Sequence, residues 1–282
     1  MSLRERHRQR GLTLIELSLV LLLTGIIFGV TQSLLSSTVE NWWKVNANAD
    51  AEQQLYKAQH FLERDIASAA YERENGRETV RVQKLAPASS LAGADGDVFW
   101  FLSAVDPNTG NLVRKPNGEP FWQRNIVYFC VTPQNLGQFG FSGSGLDVGG
   151  YESACPYKVL LRYEIDSNAP TSADPLTSEE EPLMTFDQLL PLLGRPDGYD
   201  TSGLAAPNIA VRPISGNIVT FRADYQDSIS GVKFDIRASA VNRARREGGF
   251  GSIDLANHGA TQQLELNLFP PNRQGSSRTD GT

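Results

Sequence analysis

Apolar residues are unevenly spread along the chain, and their spacing changes twice. Leu12–Val30 reads LTLIELSLVLLLTGIIFGV and holds one charge, Glu16. The next charge is Glu40, so Leu17–Val39 is a run of 23 uncharged residues. As a helix this run spans roughly 30–35 Å, enough to cross a bilayer core. From Asn41 to Tyr71 the apolar positions thin to a stripe at Ala51, Leu55, Ala58, Leu62, Ile66 and Ala69, with polar residues between. Spacings of three and four are the mark of an amphipathic helix. No proline occurs before Pro87, so the pattern predicts one continuous helix from residue 13 to about 72, about 90 Å long.

Beyond the helix the period shortens. Strands are predicted at Thr79–Leu85, Asp97–Ala104, Asn125–Thr132, Tyr157–Ile165, Asn217–Tyr225, Val232–Val241 and Gln263–Phe269. Alternation is clearest in Ile218-Val219-Thr220-Phe221-Arg222-Ala223 and in Val232-Lys233-Phe234-Asp235-Ile236-Arg237. Asp227–Gly231 reads as a hairpin connection, and Leu183–Leu193 as a short helix ended by Gly194. Gln134–Pro156 carries six glycines, Ser167–Pro182 is acidic and polar, and Pro270–Thr282 has no core-forming residue. The expected class is α+β: a long N-terminal helix, membrane-spanning then amphipathic, packed on an antiparallel sheet. The expected divisions are 1–11, 12–39, 40–72, 73–269 and a disordered tail, 270–282.

Composition fits an ordinary globular domain, with 40% hydrophobic and 21% charged residues among 282. A formal charge of −6 argues against a nucleic-acid binder. Charge matters most at the start, where Arg4, Arg6, Arg8 and Arg10 precede the apolar run against a single Glu5. By the positive-inside rule the N-terminus stays cytoplasmic and the remainder crosses. A signal anchor explains this much, and Ser36-Ser37 gives no A-x-A cleavage pattern for a secretory signal. Neither accounts for Glu16, because a carboxylate within an apolar helix needs a partner.

Arg10-Gly11-Leu12-Thr13-Leu14-Ile15-Glu16, followed by the apolar run, resembles the class III signal of type IV pilins and type II secretion pseudopilins. The resemblance implies cleavage between Gly11 and Leu12 by a prepilin peptidase, and N-methylation of Leu12. It makes Glu16 the fifth mature residue, pairing with the ammonium of a neighbouring subunit and setting assembly register. Leu12 stands where the family most often has Phe or Met. The run lacks the proline common in major pilins, which favours a minor subunit. Leu62-Glu63-Arg64-Asp65-Ile66 resembles the stalk helix of the J-type minor pseudopilin. Removing the leader, with four arginines and one glutamate, takes the charge from −6 to about −9.

Other features weigh less. Gly25 and Gly29 form a G-x-x-x-G spacing that suits either close helix packing or a tolerated soft spot. Trp42-Trp43 suit an interfacial anchor or packing on a neighbour. Cys130 and Cys155, with 24 residues between them, are expected to form a disulfide outside the cytoplasm; two buried thiols are the alternative. His7, His60 and His258 are too dispersed for zinc. Asp174 with Glu179-Glu180-Glu181 leaves calcium open, although a solvated acidic loop is the plainer reading. Arg243, Arg245 and Arg246 read as a solvated strand end. No catalytic motif is found and no cofactor is expected.

These readings predict a non-enzymatic minor pilin or pseudopilin, assembled into a type II secretion pseudopilus or a type IV pilus. The expected partners are prepilin peptidase, other pilins through the N-terminal helix, the inner-membrane assembly platform and, before assembly, lipid. The expected location is single-pass in the inner membrane with a periplasmic domain, then the fibre. A signal-anchored periplasmic binding domain that does not polymerise is the alternative.

Overall fold

A computed structural model describes residues 13–71, 78–84, 97–133, 158–193, 197–199, 208–241 and 259–270. Among the described residues are two α-helices, α1 (Leu14–Ile66) and α2 (Phe186–Leu193). Eight strands follow α1: β1 (Val80–Gln83), β2 (Val98–Ser103), β3 (Arg124–Pro133), β4 (Lys158–Ile165), β5 (Asp197–Tyr199), β6 (Ile209–Gln226), β7 (Gly231–Val241) and β8 (Gly259–Leu268). The chain divides into two compact units, Met1–Asn46 and Ala47–Thr282, with the division inside α1.

The second unit is built on a sheet of order β1-β2-β3-β4-β6-β7-β8, with every neighbouring pair antiparallel. Only β5 departs from this meander, pairing in parallel with the end of β3 at Thr132 and Pro133. The upper part of α1 lies on one face. Its Ala51, Leu55, Ala58, Leu62 and Ile66 share a core with Phe99, Phe101, Ile126, Tyr128, Phe221 and Phe234. Two alanines in the stripe, both fully buried, let the helix approach the sheet closely. Each large side chain buried here contributes about 1.5–3 kcal/mol.

The opposite face is covered only in part. Val98, Trp100, Val127, Phe129, Leu161 and Tyr163 pack beneath Leu189 and Leu193 of α2 and Tyr199 of β5. Strands β2 to β4 are therefore buried on both sides, which is why VFWFL and IVYFCV are continuous apolar runs rather than alternating ones. On β7, Lys233, Asp235 and Arg237 are not buried and alternate with buried Val232, Phe234, Ile236 and Ala238. The burial pattern thus gives three layers over β2–β4 and two over β7.

Several expected boundaries are corrected. Helix α1 ends at Ile66, not near 72. Past it the backbone tightens, with Ser68 N–H donating to Asp65 O at 3.1 Å. The Ser68 hydroxyl bonds both Asp65 O at 2.6 Å and the Ser103 hydroxyl at 2.9 Å, which turns the chain toward the sheet. Helix α2 starts at Phe186 rather than Leu183. Thr185 and Gln188 cap it reciprocally, at 2.8 Å from Thr185 N–H to Gln188 Oε1 and 3.4 Å from Gln188 N–H to Thr185 Oγ1. Gly194, its expected terminator, lies outside the described residues.

Strand β6 begins at Ile209, well before the expected Asn217. Its first half pairs with β4 through two register shifts beside Leu160, and Pro213 sits opposite Leu161 next to one of them. Proline is tolerated in a sheet at such irregularities, and its presence hid the strand. Strand β8 starts at Gly259 rather than Gln263 and ends before Phe269. The connection between β6 and β7 is one 3₁₀ turn over Asp227–Ile229, closed by Ser230 in the left-handed region at φ 53°.

Candidate functional site

The N-terminus of α1 has a built geometry. Thr13 N–H and Thr13 Oγ1–H both donate to Glu16 Oε2, at 2.8 and 2.9 Å, and Glu16 N–H donates back to Thr13 Oγ1 at 3.3 Å. This is a capping box, which satisfies donors that the first helical turn leaves open. The expected cleavage and methylation residues, Gly11 and Leu12, lie outside the described residues. The role of Thr13 was missed on the sequence, although the T-x-x-E signal was there.

Above the cap, α1 is one helix long and apolar enough to cross a membrane, and its most apolar window is wholly unburied. Leu14 is 84% exposed and Phe28 69%. The hydroxyls of Ser18, Thr24, Thr31, Ser37 and Thr38 each donate to a carbonyl one turn back, at 2.8 to 3.0 Å. A helix in lipid needs its polar groups satisfied internally in this way. At Gly25 and Gly29 nothing lies within 4 Å of where a Cβ would stand, so the G-x-x-x-G face is open. The lower part of α1 has the length and composition of a membrane anchor or a signal.

A second polar cluster fixes the upper end of α1 on the sheet. Asp65, 6% exposed, accepts from Tyr128 O–H at 2.7 Å and from Arg162 Nε. Its other oxygen accepts from Arg64 Nε and Nη2 at 2.9 and 2.7 Å. Arg162 Nη1 donates to Glu164 Oε2 at 2.9 Å. Burial works against the Arg162 charge, and the Asp65 carboxylate beside it more than offsets that, so its pKa is raised. Burial first, and then the Asp65 charge, push the Tyr128 hydroxyl well above its ordinary range, so it stays a donor. Arg64 and Arg212 flank the Phe61 ring at 4.6 and 4.9 Å from its centroid.

The other predicted residues fall apart as a site. Glu181 is buried and accepts from Asn125 Nδ2 at 2.9 Å and Ser167 N–H at 2.6 Å. Burial raises its pKa. Glu180 pairs with Lys115 at 2.8 Å, and Asp174 closes its own turn onto Leu176 N–H and Thr177. The acidic run is thus divided among separate structural tasks. Among the described residues no group of three or more His, Cys, Asp or Glu is placed to hold a metal ion. His60 packs edge-on against Phe61. His7, His258, Arg243, Arg245 and Arg246 lie outside the described residues.

Cys130 is a free, wholly buried thiol in the helix-side core. Burial pushes its pKa up; the Lys158 ammonium opposes this and the Asp97 carboxylate adds to it. Cys155 lies outside the described residues, and the expected Cys130–Cys155 disulfide is not seen. A thiol in such surroundings is inert, so Cys130 is expected to alkylate only after denaturation. A linked Cys130–Cys155 peptide in a non-reducing digest would show the bond instead.

No protein-family model, no curated protein and no solved structure matches the chain.

Proposed function

We propose that this chain is a pilin-like subunit, a minor pilin or pseudopilin of a type IV pilus or type II secretion pseudopilus. A prepilin peptidase cuts it between Gly11 and Leu12 and methylates Leu12. The product waits in the inner membrane with its β-rich domain outside the cytoplasm. The assembly platform then draws it into the fibre or its tip, where α1 packs among the helices of other subunits and Glu16 meets a neighbour's N-terminal ammonium.

One observation carries this reading: a carboxylate, Glu16, held in a capping box at the base of an apolar helix whose most apolar stretch is unburied among the described residues. A capping box is completed as well by a neutral glutamine, so the charge itself, which costs energy near lipid, calls for a partner. Support also comes from Leu62-Glu63-Arg64-Asp65-Ile66, the stretch resembling the J-type stalk, because Asp65 is the residue that fastens the helix to the sheet.

The test is affinity isolation of the full-length chain from membranes of its own host. Other proteins with a basic leader and the same glycine-to-glutamate spacing are expected to co-purify. Recovery of the chain without any such protein would favour the signal-anchored, non-polymerising alternative.

A further inference from the structure

Trp42 and Trp43 stand side by side on α1, 56% and 41% exposed, with their rings edge-to-face at 5.1 Å. They follow the apolar run after Glu40 and Asn41, and Lys44 beside them pairs with Glu40 at 3.1 Å. Among the described residues no acceptor meets either indole N–H. An exposed pair of large amphipathic rings with free donors, next to an exposed ion pair, is the composition of a membrane–water boundary.

Distance along the helix points the same way. From Thr13 to Trp42 the rise is about 43 Å, against about 40–45 Å for a bilayer with its headgroup regions. An ordinary tilt of ~20° projects that rise to about 40 Å. The Thr13–Glu16 capping box and the Trp42–Trp43 pair are therefore one bilayer apart. With the rings at the outer boundary, the cap lies at the level of the cytoplasmic headgroups.

We infer that Trp42 and Trp43 bind the phospholipid headgroup region of the outer leaflet and set the depth of α1, which holds Glu16 at the cytoplasmic interface instead of inside the hydrocarbon. This rests on the membrane-anchored state of the proposed function, and it explains how an unassembled subunit tolerates Glu16. Interfacial placement lowers the cost of the charge, and the capping box supplies hydrogen bonds there.

The experiment uses the full-length chain in vesicles of phosphatidylethanolamine and phosphatidylglycerol, with acyl chains brominated either near the headgroup or near the bilayer centre. Tryptophan emission is compared between the native chain and the Trp42→Phe/Trp43→Phe double variant. That comparison removes the contribution of Trp100 and Trp122, which are buried in the β-rich domain. The expected result is stronger quenching by shallow bromine than by deep, a loss of that quenching in the double variant, and flotation of both proteins with the vesicles. Deep bromine quenching more strongly would overturn the inference. Flotation with no bromine quenching of the native chain beyond that of the double variant, in either lipid, would overturn it alone. Failure to float would overturn the membrane-anchored state as well.

Discussion

Asp65→Ala destabilises the β-rich domain by about 3–5 kcal/mol, the cost of leaving a buried charge without its partner. Asp65 joins three groups from two strands and its own helix: Tyr128 on β3, Arg162 on β4 and Arg64. Without its carboxylate, Arg162 keeps only Glu164 among the described residues, and the Tyr128 hydroxyl loses its acceptor in the core. The double variant Asp65→Ala/Arg162→Met removes both members of the pair and is expected to lose less than the single variant. Chemical denaturation of the detergent-solubilised chain reads both effects. Equal midpoints for native and Asp65→Ala proteins would mean that the cluster does not fasten the helix.

The second large effect falls at the other end of α1. Glu16→Ala is expected to insert normally and to lose co-purification with other subunits by about tenfold or more, or about 1.4 kcal/mol or more of association free energy. Two functions are lost together in that variant, the helix cap and the charge. Glu16→Gln separates them, because glutamine also completes a capping box while giving up the ion pair with a neighbour's ammonium. If pairing sets the register, Glu16→Gln fails in the same way as Glu16→Ala. Normal recovery of partners with Glu16→Gln would transfer the role to the cap, which is worth about 0.5–2 kcal/mol.

Both ends of α1 show where sequence reading succeeds and where it stops. The apolar run, the stripe from Ala51 to Ile66 and the alternation of β7 were legible because each follows a single period against a single environment. Strand β6 was half missed, since Pro213 and the irregular pairing beside Leu160 break the period. Strand β5, three residues long, is held by its pairing with β3 and by Tyr199 in the second core, neither of which leaves a local trace. The end of α1 depends on Ser68 meeting Ser103, a contact across 35 residues.

The candidate site divides in the same way. Glu16 stood out because it breaks an apolar run. Asp65 did not, because a charge in an amphipathic helix is unremarkable until Tyr128 and Arg162 are brought to it. Glu181 was grouped with its neighbours in an acidic run, but pairing with Asn125 turned it inward and left Glu179 outside. A residue's place in a run of like residues says little about where its side chain goes.

The central claim is that the chain is matured and assembled as a pilin-like subunit, and its N-terminus tests this most directly. Mass spectrometry of the protein extracted from membranes of a host with active prepilin peptidase should find a chain beginning at Leu12 and methylated on its α-amino group. A chain beginning at Met1 or Ser2 in that host would contradict the claim.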